Sequence, residues 1–306
     1  MKRALLVMTA LATVGCVGTN IFAPDGTAND EAGFIYFASN REGNNFELYR
    51  MPASGGGMPV RLTVDADHND YSPMPSRDGK LLAWVREVAK PGEGVTSTEI
   101  WVMNADGSNS HALVQNGATN ASPSWVAGDS ALVYASDVGG DWEIYRVSLA
   151  GGSPRNLTNN PYADQSPRVS PDGQRIVFQS NRTLDFEIYT MAVDGTDVRD
   201  VSHNPADDRF PTWSADGRQI LWTRYADSFN IWRMNADGSA QSVVLSGSFS
   251  DTSPAVAPDG SAVVFASDRV APSSLFVYQL AGGGLRQLTN LAGWNSATDL
   301  DPIWVR

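Results

Sequence analysis

The sequence predicts an all-β chain, a six-bladed β-propeller of four-stranded antiparallel blades closed by the C-terminal strand completing the N-terminal blade. Three observations carry that prediction. The pattern D-x-x-P recurs at Asp70–Pro73, Asp164–Pro167, Asp208–Pro211, Asp251–Pro254 and Asp299–Pro302, and Asn120–Pro123 is a further copy with Asn in place of Asp. Its prolines lie 50, 44, 44, 43 and 48 residues apart, the period of a propeller blade. The first unit, FIYFAS through PVRLT, lacks an opening strand, and the terminal DLDPIWVR supplies an orphan one. Pairing the two removes exposed sheet edges and makes one domain of residues 34–306.

Within a repeat the elements keep one order. The segment after the proline (RVS, TWS, AVA, SWV) is a short first strand, with φ fixed at its start by the proline ring. A tight turn follows, written SRDG, SPDG, SADG or APDG. There Gly79, Gly173, Gly217 and Gly260 can take the positive φ that such hairpin connections demand. Residues 128–132, GDSAL, resemble the start of a lipase-type motif but fall where the other repeats turn, so they read as a degenerate hairpin. The second strand (LLAWVR, ALVYAS, RIVFQS, QILWTR, AVVFAS) is too continuously apolar to have a wet face, so both sides should be buried. A variable loop leads to a third strand such as ELYRMPA or EIYTMAV, and a Gly-containing turn and short outer strand ending LT, LS or VS finish the unit.

Residues 1–15 stand outside this scheme. Lys2 and Arg3 precede an apolar stretch from Ala4 to Val14, then Gly15 and Cys16, which is a secretory signal too short for a stable membrane span. The stretch resembles a bacterial lipoprotein signal, which implies lipidation of Cys16 as the mature N-terminus. Thr13 stands where that family usually has Leu, and ordinary signal-peptidase cleavage is the alternative. Cys16 is the single cysteine, so it has no disulfide to make within the chain. Val17, rather than Asp, follows it, which in such lipoproteins implies the outer membrane. The remainder of residues 16–33 has turn formers and no apolar period, and reads as a flexible tether reaching about 20–25 Å.

The repeats resemble the WD40-like PD40 repeats of TolB-type propellers, whose hallmark is D-x-x-P-x-W-S-P-D-G, an apolar strand, S-x-R and I-Y. DQSPRVSPDG…SNR…EIY and DRFPTWSADG…TR…NIW carry the likeness, and it spans residues 34–306. It implies a monomeric periplasmic binding platform with protein partners, of which a peptidoglycan-associated lipoprotein is one. TolB proteins carry an α/β domain ahead of the propeller, and the sequence has no room for one there.

The recurring Asp is expected to be a corner clamp, its carboxylate accepting backbone N–H groups just ahead of it. Rotation also gathers Asp70, Asp164, Asp208, Asp251 and Asp299 at one mouth of the channel, together with His68 and His203 and loop acids such as Asp67, Glu93, Asp141, Asp185, Asp227 and Asp268. A concave mouth of one sign could dock a basic peptide, a partner protein or a divalent cation such as Ca2+. No metal ligands are expected otherwise, since none of the three histidines has H-x-x-x-H spacing. A propeller lyase or lactonase would need such a cation, and a glycan sensor an aromatic-lined pocket. The third-strand Glu47, Glu99, Glu143 and Glu187 recur once per blade, which favours ion pairs with the S-x-R arginine over catalysis. Their aromatic neighbours Tyr49, Trp101, Tyr145, Tyr189 and Trp232 should pack between blades. No G-x-S-x-G elbow occurs, and a net charge of −12 opposes nucleic-acid binding. The sequence thus points away from catalysis and towards binding.

Overall fold

A computed structural model describes residues 32–89, 96–289 and 297–306. The signal segment, Cys16, the tether through residue 31, and Lys90 and Glu93 lie outside the described residues. Six four-stranded antiparallel sheets make up the fold, and no helix occurs among the described residues. Blade 1 is closed as the sequence led us to expect. Its innermost strand, Asp299–Val305, pairs with Phe34–Ser39, followed outward by Glu47–Pro52 and Val60–Arg61. Blade 2 runs outward through Asp70–Pro75, Leu81–Ala89, Thr96–Asn104 and His111–Val114, and blades 3 to 6 repeat that order from Asn120, Asp164, Asp207 and Asp251.

Each innermost strand carries the same kink. The residue before the repeat proline (Ser72, Ser122, Ser166, Phe210, Ser253, Asp301) has φ between 49° and 54°. The ladder slips at that point, between Tyr71 and Met74 in blade 2 and between Gln165 and Arg168 in blade 4. Proline costs no ladder hydrogen bond at such a bulge. The kinked residues line the channel near one end. That end also receives the loops between second and third strands, and we call it the loop end.

The P-D-G hairpins crowd the opposite, turn end. Ser76 Oγ donates to Asp78 Oδ1 (2.8 Å) and accepts the Leu81 N–H (2.9 Å), and Ser170 and Ser214 repeat both contacts. The Lys80 backbone N–H and the serine hold the Asp78 carboxyl down at about 2. Gly173 has φ 73°, and a Cβ there would stand 2.3 Å from Ala127 Cβ. In blade 3 Asp129 takes the equivalent place with φ 49°, so GDSAL is indeed a hairpin turn.

The second strands Ala131–Ser136 and Ala262–Ser267 are buried at every residue. In each blade an aromatic ring of the second strand faces one of the third, from Phe37–Tyr49 to Phe265–Phe276, with centroids 5.8–6.3 Å apart. The same rings fill the gaps between blades: Tyr134 and Tyr145 pack with Val85 and Ile100 of blade 2. Burial of such large rings supplies much of the driving force for folding.

Candidate functional site at the two ends of the channel

At the loop end the recurring aspartates are completely buried. Their partners differ from those expected. A guanidinium, rather than backbone N–H groups, answers each carboxylate. Arg86 forks onto Asp70 (2.8 and 2.8 Å) and Arg224 onto Asp208 (2.7 and 2.9 Å), while Arg182 donates from Nη2 to both oxygens of Asp164 (2.9 and 2.9 Å). Arg41 reaches Asp299 at 2.6 Å, and Arg269 pairs with Asp251. A carboxylate removed from water needs a full counter-charge, and the planar fork of Arg supplies charge and donors together. In blades 1, 4 and 6 the serine of S-x-R accepts a further bond from its arginine. In blades 2 and 5 the arginine stands directly opposite the aspartate in register. The guanidinium planes lie over third-strand rings, 4.6 Å from Trp101 and 4.3 Å from Trp232.

Blade 3 shows the rule by its exception. Its second strand ends at Ser136 and is followed by Asp137 and Val138, without the arginine, and there the aspartate is replaced by Asn120. The amide donates to Thr98 O (2.6 Å) and Asn116 Oδ1 (2.9 Å). Where no counter-ion is available the buried group is uncharged.

The third-strand glutamates are structural too, but not through the S-x-R arginine. Glu47 accepts from Thr63 Oγ1 (2.5 Å), the Asp65 N–H (2.6 Å) and Arg61 of the outer strand (2.7 Å). Glu143 accepts from Thr158 and the Asn160 N–H, and Glu187 from Ser202 and the Asn204 N–H. Glu99 accepts from Trp101 Nε1 (2.8 Å) and Gln115 Nε2 (2.7 Å). The LT and VS endings of the outer strands of blades 1, 3 and 4 are thus hydroxyl donors to these carboxylates. The arginine is already engaged by aspartate, and this holds even in blade 2, where Arg86 stands opposite Glu99 in register. Burial pushes the Glu143 carboxyl up and brings Glu187 to about 7.

The two candidate histidines are not brought together. His68 Nδ1 lies 2.9 Å from Asp65 Oδ1 in the loop before blade 2, and exposed His203 lies 3.3 Å from Asp200 Oδ2 in the loop before blade 5. Among the described residues no three His, Cys, Asp or Glu side chains converge as a metal would require. What remains free at this end is a rim. Asp67, Asp141, Asp185, Asp227 and Asp268 are exposed, as are Val64, Tyr162, Leu184, Tyr225 and Phe249.

Two cavities follow one another along the channel. The one nearer the loop end, about 220 Å³, is bounded by the kinked Ser72, Ser122, Ser166, Phe210, Ser253 and Asp301. The turn-end cavity, about 400 Å³, is walled by Trp125, Trp213 and Trp304, which alternate around the ring with Pro75, Val169 and Val256. Arg168, Thr212 and Ile303 line both. The indoles are fixed: Trp125 Nε1 donates to Met74 O (2.8 Å) and Trp213 Nε1 to Arg168 O (3.0 Å). Arg77 crosses the rim from the blade 2 turn to the carbonyls of Ser170 (2.6 Å) and Pro171.

The sequence reading missed this second mouth. Its signal lies one residue beyond each repeat proline, where the copies read Met74, Ser124, Arg168, Thr212, Ala255 and Ile303. Five are small or apolar and one is a cation.

The family model of the TolB β-propeller domain, PD40, matches residues 141–304. Among solved structures the fold is similar to that of TolB from Acinetobacter baumannii, at TM-score 0.75 and 19% identity over 92% of this chain and 68% of that one. It is similar also to a putative TolB from Agrobacterium tumefaciens, at TM-score 0.65 and 21% identity over 84% of this chain and 88% of that one. An oligogalacturonate lyase from Vibrio parahaemolyticus shares the architecture at TM-score 0.57 and 14% identity over 77% of this chain and 72% of that one. At such identities the likeness to these structures is one of fold. No curated protein sequence matches the chain. The family match spans more than half of the sequence and the six closed blades agree with it, so the chain belongs to the TolB β-propeller family.

Proposed function

We propose that the protein is a non-catalytic binding platform of the bacterial cell envelope. In this reading lipidated Cys16 tethers it to the outer membrane, and the loop end of the propeller docks a periplasmic or outer-membrane protein. A peptidoglycan-associated lipoprotein is the partner that the family suggests. The observation that carries the reading is the loop-end rim. Of the thirteen large apolar side chains left exposed among the described residues, eight stand there: Val64, Val138, Tyr162, Leu184, Phe210, Tyr225, Phe249 and Val270. Exposed aspartates lie among them, while Arg41, Arg86, Arg182, Arg224 and Arg269 are held in the clamps below. Apolar anchors amid negative charge suit a partner with a basic rim and apolar centre.

The chain enters the fold at the opposite end. Ala32 O accepts from Trp304 Nε1 (2.7 Å) and Gly33 O from the Ala53 N–H (3.0 Å). A tether leaving there turns the loop end away from its anchor. Crosslinked capture from native envelopes tests the proposal, with wild type set against a Leu184→Ser, Tyr225→Ser, Phe249→Ser variant. These side chains are exposed, so each change should move stability by no more than about 0.5 kcal/mol. We expect one partner to be captured by wild type and lost from the variant. Equal capture would contradict docking at this rim.

A further inference from the structure

We propose that the turn-end cavity binds a small organic carboxylate with an aromatic or branched aliphatic body, and that Arg168 is its anion partner. The inference is independent of the loop-end platform, since it concerns the other mouth of the channel.

Arg168 differs from every clamp arginine. Each of those meets a buried aspartate, whereas Arg168 forms no ion pair among the described residues. Its Nη1 makes only long contacts with Pro167 O (3.3 Å) and Pro123 O (3.5 Å). Nε and Nη2 donate to no described residue, and neither is among the enclosed unsatisfied atoms of the fold. The side-on edge of the guanidinium is therefore unpartnered among the described residues and open to the channel, where Arg168 lines both cavities. That edge presents two parallel N–H groups, the geometry that takes both oxygens of a carboxylate.

The surroundings fit the rest of the ligand. No Asp or Glu lines the cavity, although the chain carries 34 acidic residues against 22 basic ones. Its walls are chiefly indole, valine and proline, and Ser124 and Thr212 are small enough to leave the space open. Of the other two lining arginines, Arg306 and Arg77, the latter is engaged by the carbonyls of Ser170 and Pro171. About 400 Å³ is the size of a small-molecule site. The backbone carbonyl of Arg168 accepts from the Trp213 indole, which fixes the point from which the side chain extends. Burial lowers the proton affinity of Arg168, with the charge of Asp301 acting in the opposite sense. Asp301 lines the neighbouring cavity, where Ser72 Oγ donates to its carboxylate (2.9 Å). Guanidinium stays charged at any physiological pH, so Arg168 presents a lasting cation to the channel, with Asp301 as the acid that acts on it.

The test is titration of the full chain with 3-phenylpropionate, followed calorimetrically and by tryptophan fluorescence, beside the uncharged 3-phenylpropanol. A short peptide ending in phenylalanine, as free acid and as amide, distinguishes a chain terminus from a free acid as the source of the carboxylate. We expect saturable binding of the acid, with the alcohol weaker by roughly tenfold or more. Arg168→Met should lose a similar factor, and Thr212→Leu, which keeps the charge but fills the space, should weaken binding as well. Tighter binding of the peptide acid than of its amide and of 3-phenylpropionate would assign the site to chain ends, and the reverse order would assign it to free acids. The proposal is overturned if neither acid saturates up to about 10 mM, if the alcohol binds as well as the acid, or if Arg168→Met binds like wild type. Should Arg168→Met fail to fold, the acid–alcohol comparison and Thr212→Leu still decide.

Discussion

At the loop end of the channel five aspartates meet five arginines, while inside the turn-end cavity Arg168 forms no ion pair among the described residues. The contrast separates two kinds of charge in one fold. The Asp–Arg charge that recurs at the loop end is buried, neutralised and structural. Charge that occurs once, at a position where the other five blades carry small or apolar residues, stands open to the channel. In a repeat protein the departures from the repeat are therefore better pointers to a binding site than its most visible motif.

The largest expected effects come from breaking the clamps. In blade 4, Arg182→Val alone leaves Asp164 buried without a counter-ion and should cost about 3–5 kcal/mol. Asp164→Asn alone strands the cation and should cost somewhat less, because Arg182 retains partial access to water. The double variant rebuilds the arrangement of blade 3, where Asn120 and Val138 occupy these places. It should recover most of the loss, which urea denaturation of the four proteins would show as a coupling of about 2 kcal/mol or more. Additive losses would mean that the clamp is not a pair.

A smaller effect sharpens the comparison within the loop end itself. Glu187 is buried with hydroxyl and N–H donors but no cation, and its carboxyl is raised from 4.5 to about 7 by burial, with Asp208 and Asp200 adding to the rise. A carboxyl raised in the folded state binds its proton more tightly there than in the unfolded chain. Its contribution is thus fully present below about pH 4.5 and is lost as pH rises through about 7. Denaturation midpoints measured between about pH 5 and 8 should decline less steeply for Glu187→Gln than for wild type. Identical slopes would place the titration elsewhere.

Much of this architecture was legible in the sequence because propeller geometry repeats. Even proline spacing, the turn glycines and the orphan DPIW strand gave blade number, hairpins and closure together. The partners of the recurring acids were harder to read. Which donor reaches Asp164 or Glu187 depends on cross-strand register, and strand pattern fixes the faces of a strand more firmly than its alignment with a neighbour. Asn120 and the missing arginine of blade 3 were both visible, yet their connection emerges only when the two positions are seen side by side. The turn-end cavity was the least legible, since Arg168 contributes to it through the small size of residues on other blades, which no single repeat displays.

The most direct test of the account sets one substitution at two places, Arg182→Met at the loop end and Arg168→Met at the turn end, and compares the equilibrium stability of both with wild type in the absence of ligand. The account predicts a loss of about 3–5 kcal/mol for Arg182→Met and no loss, or a gain of about 1 kcal/mol, for Arg168→Met, because removing an unpaired cation relieves a desolvation cost. Equal destabilisation at both would show that Arg168 braces the fold as the clamp arginines do, and would contradict the distinction between the two ends.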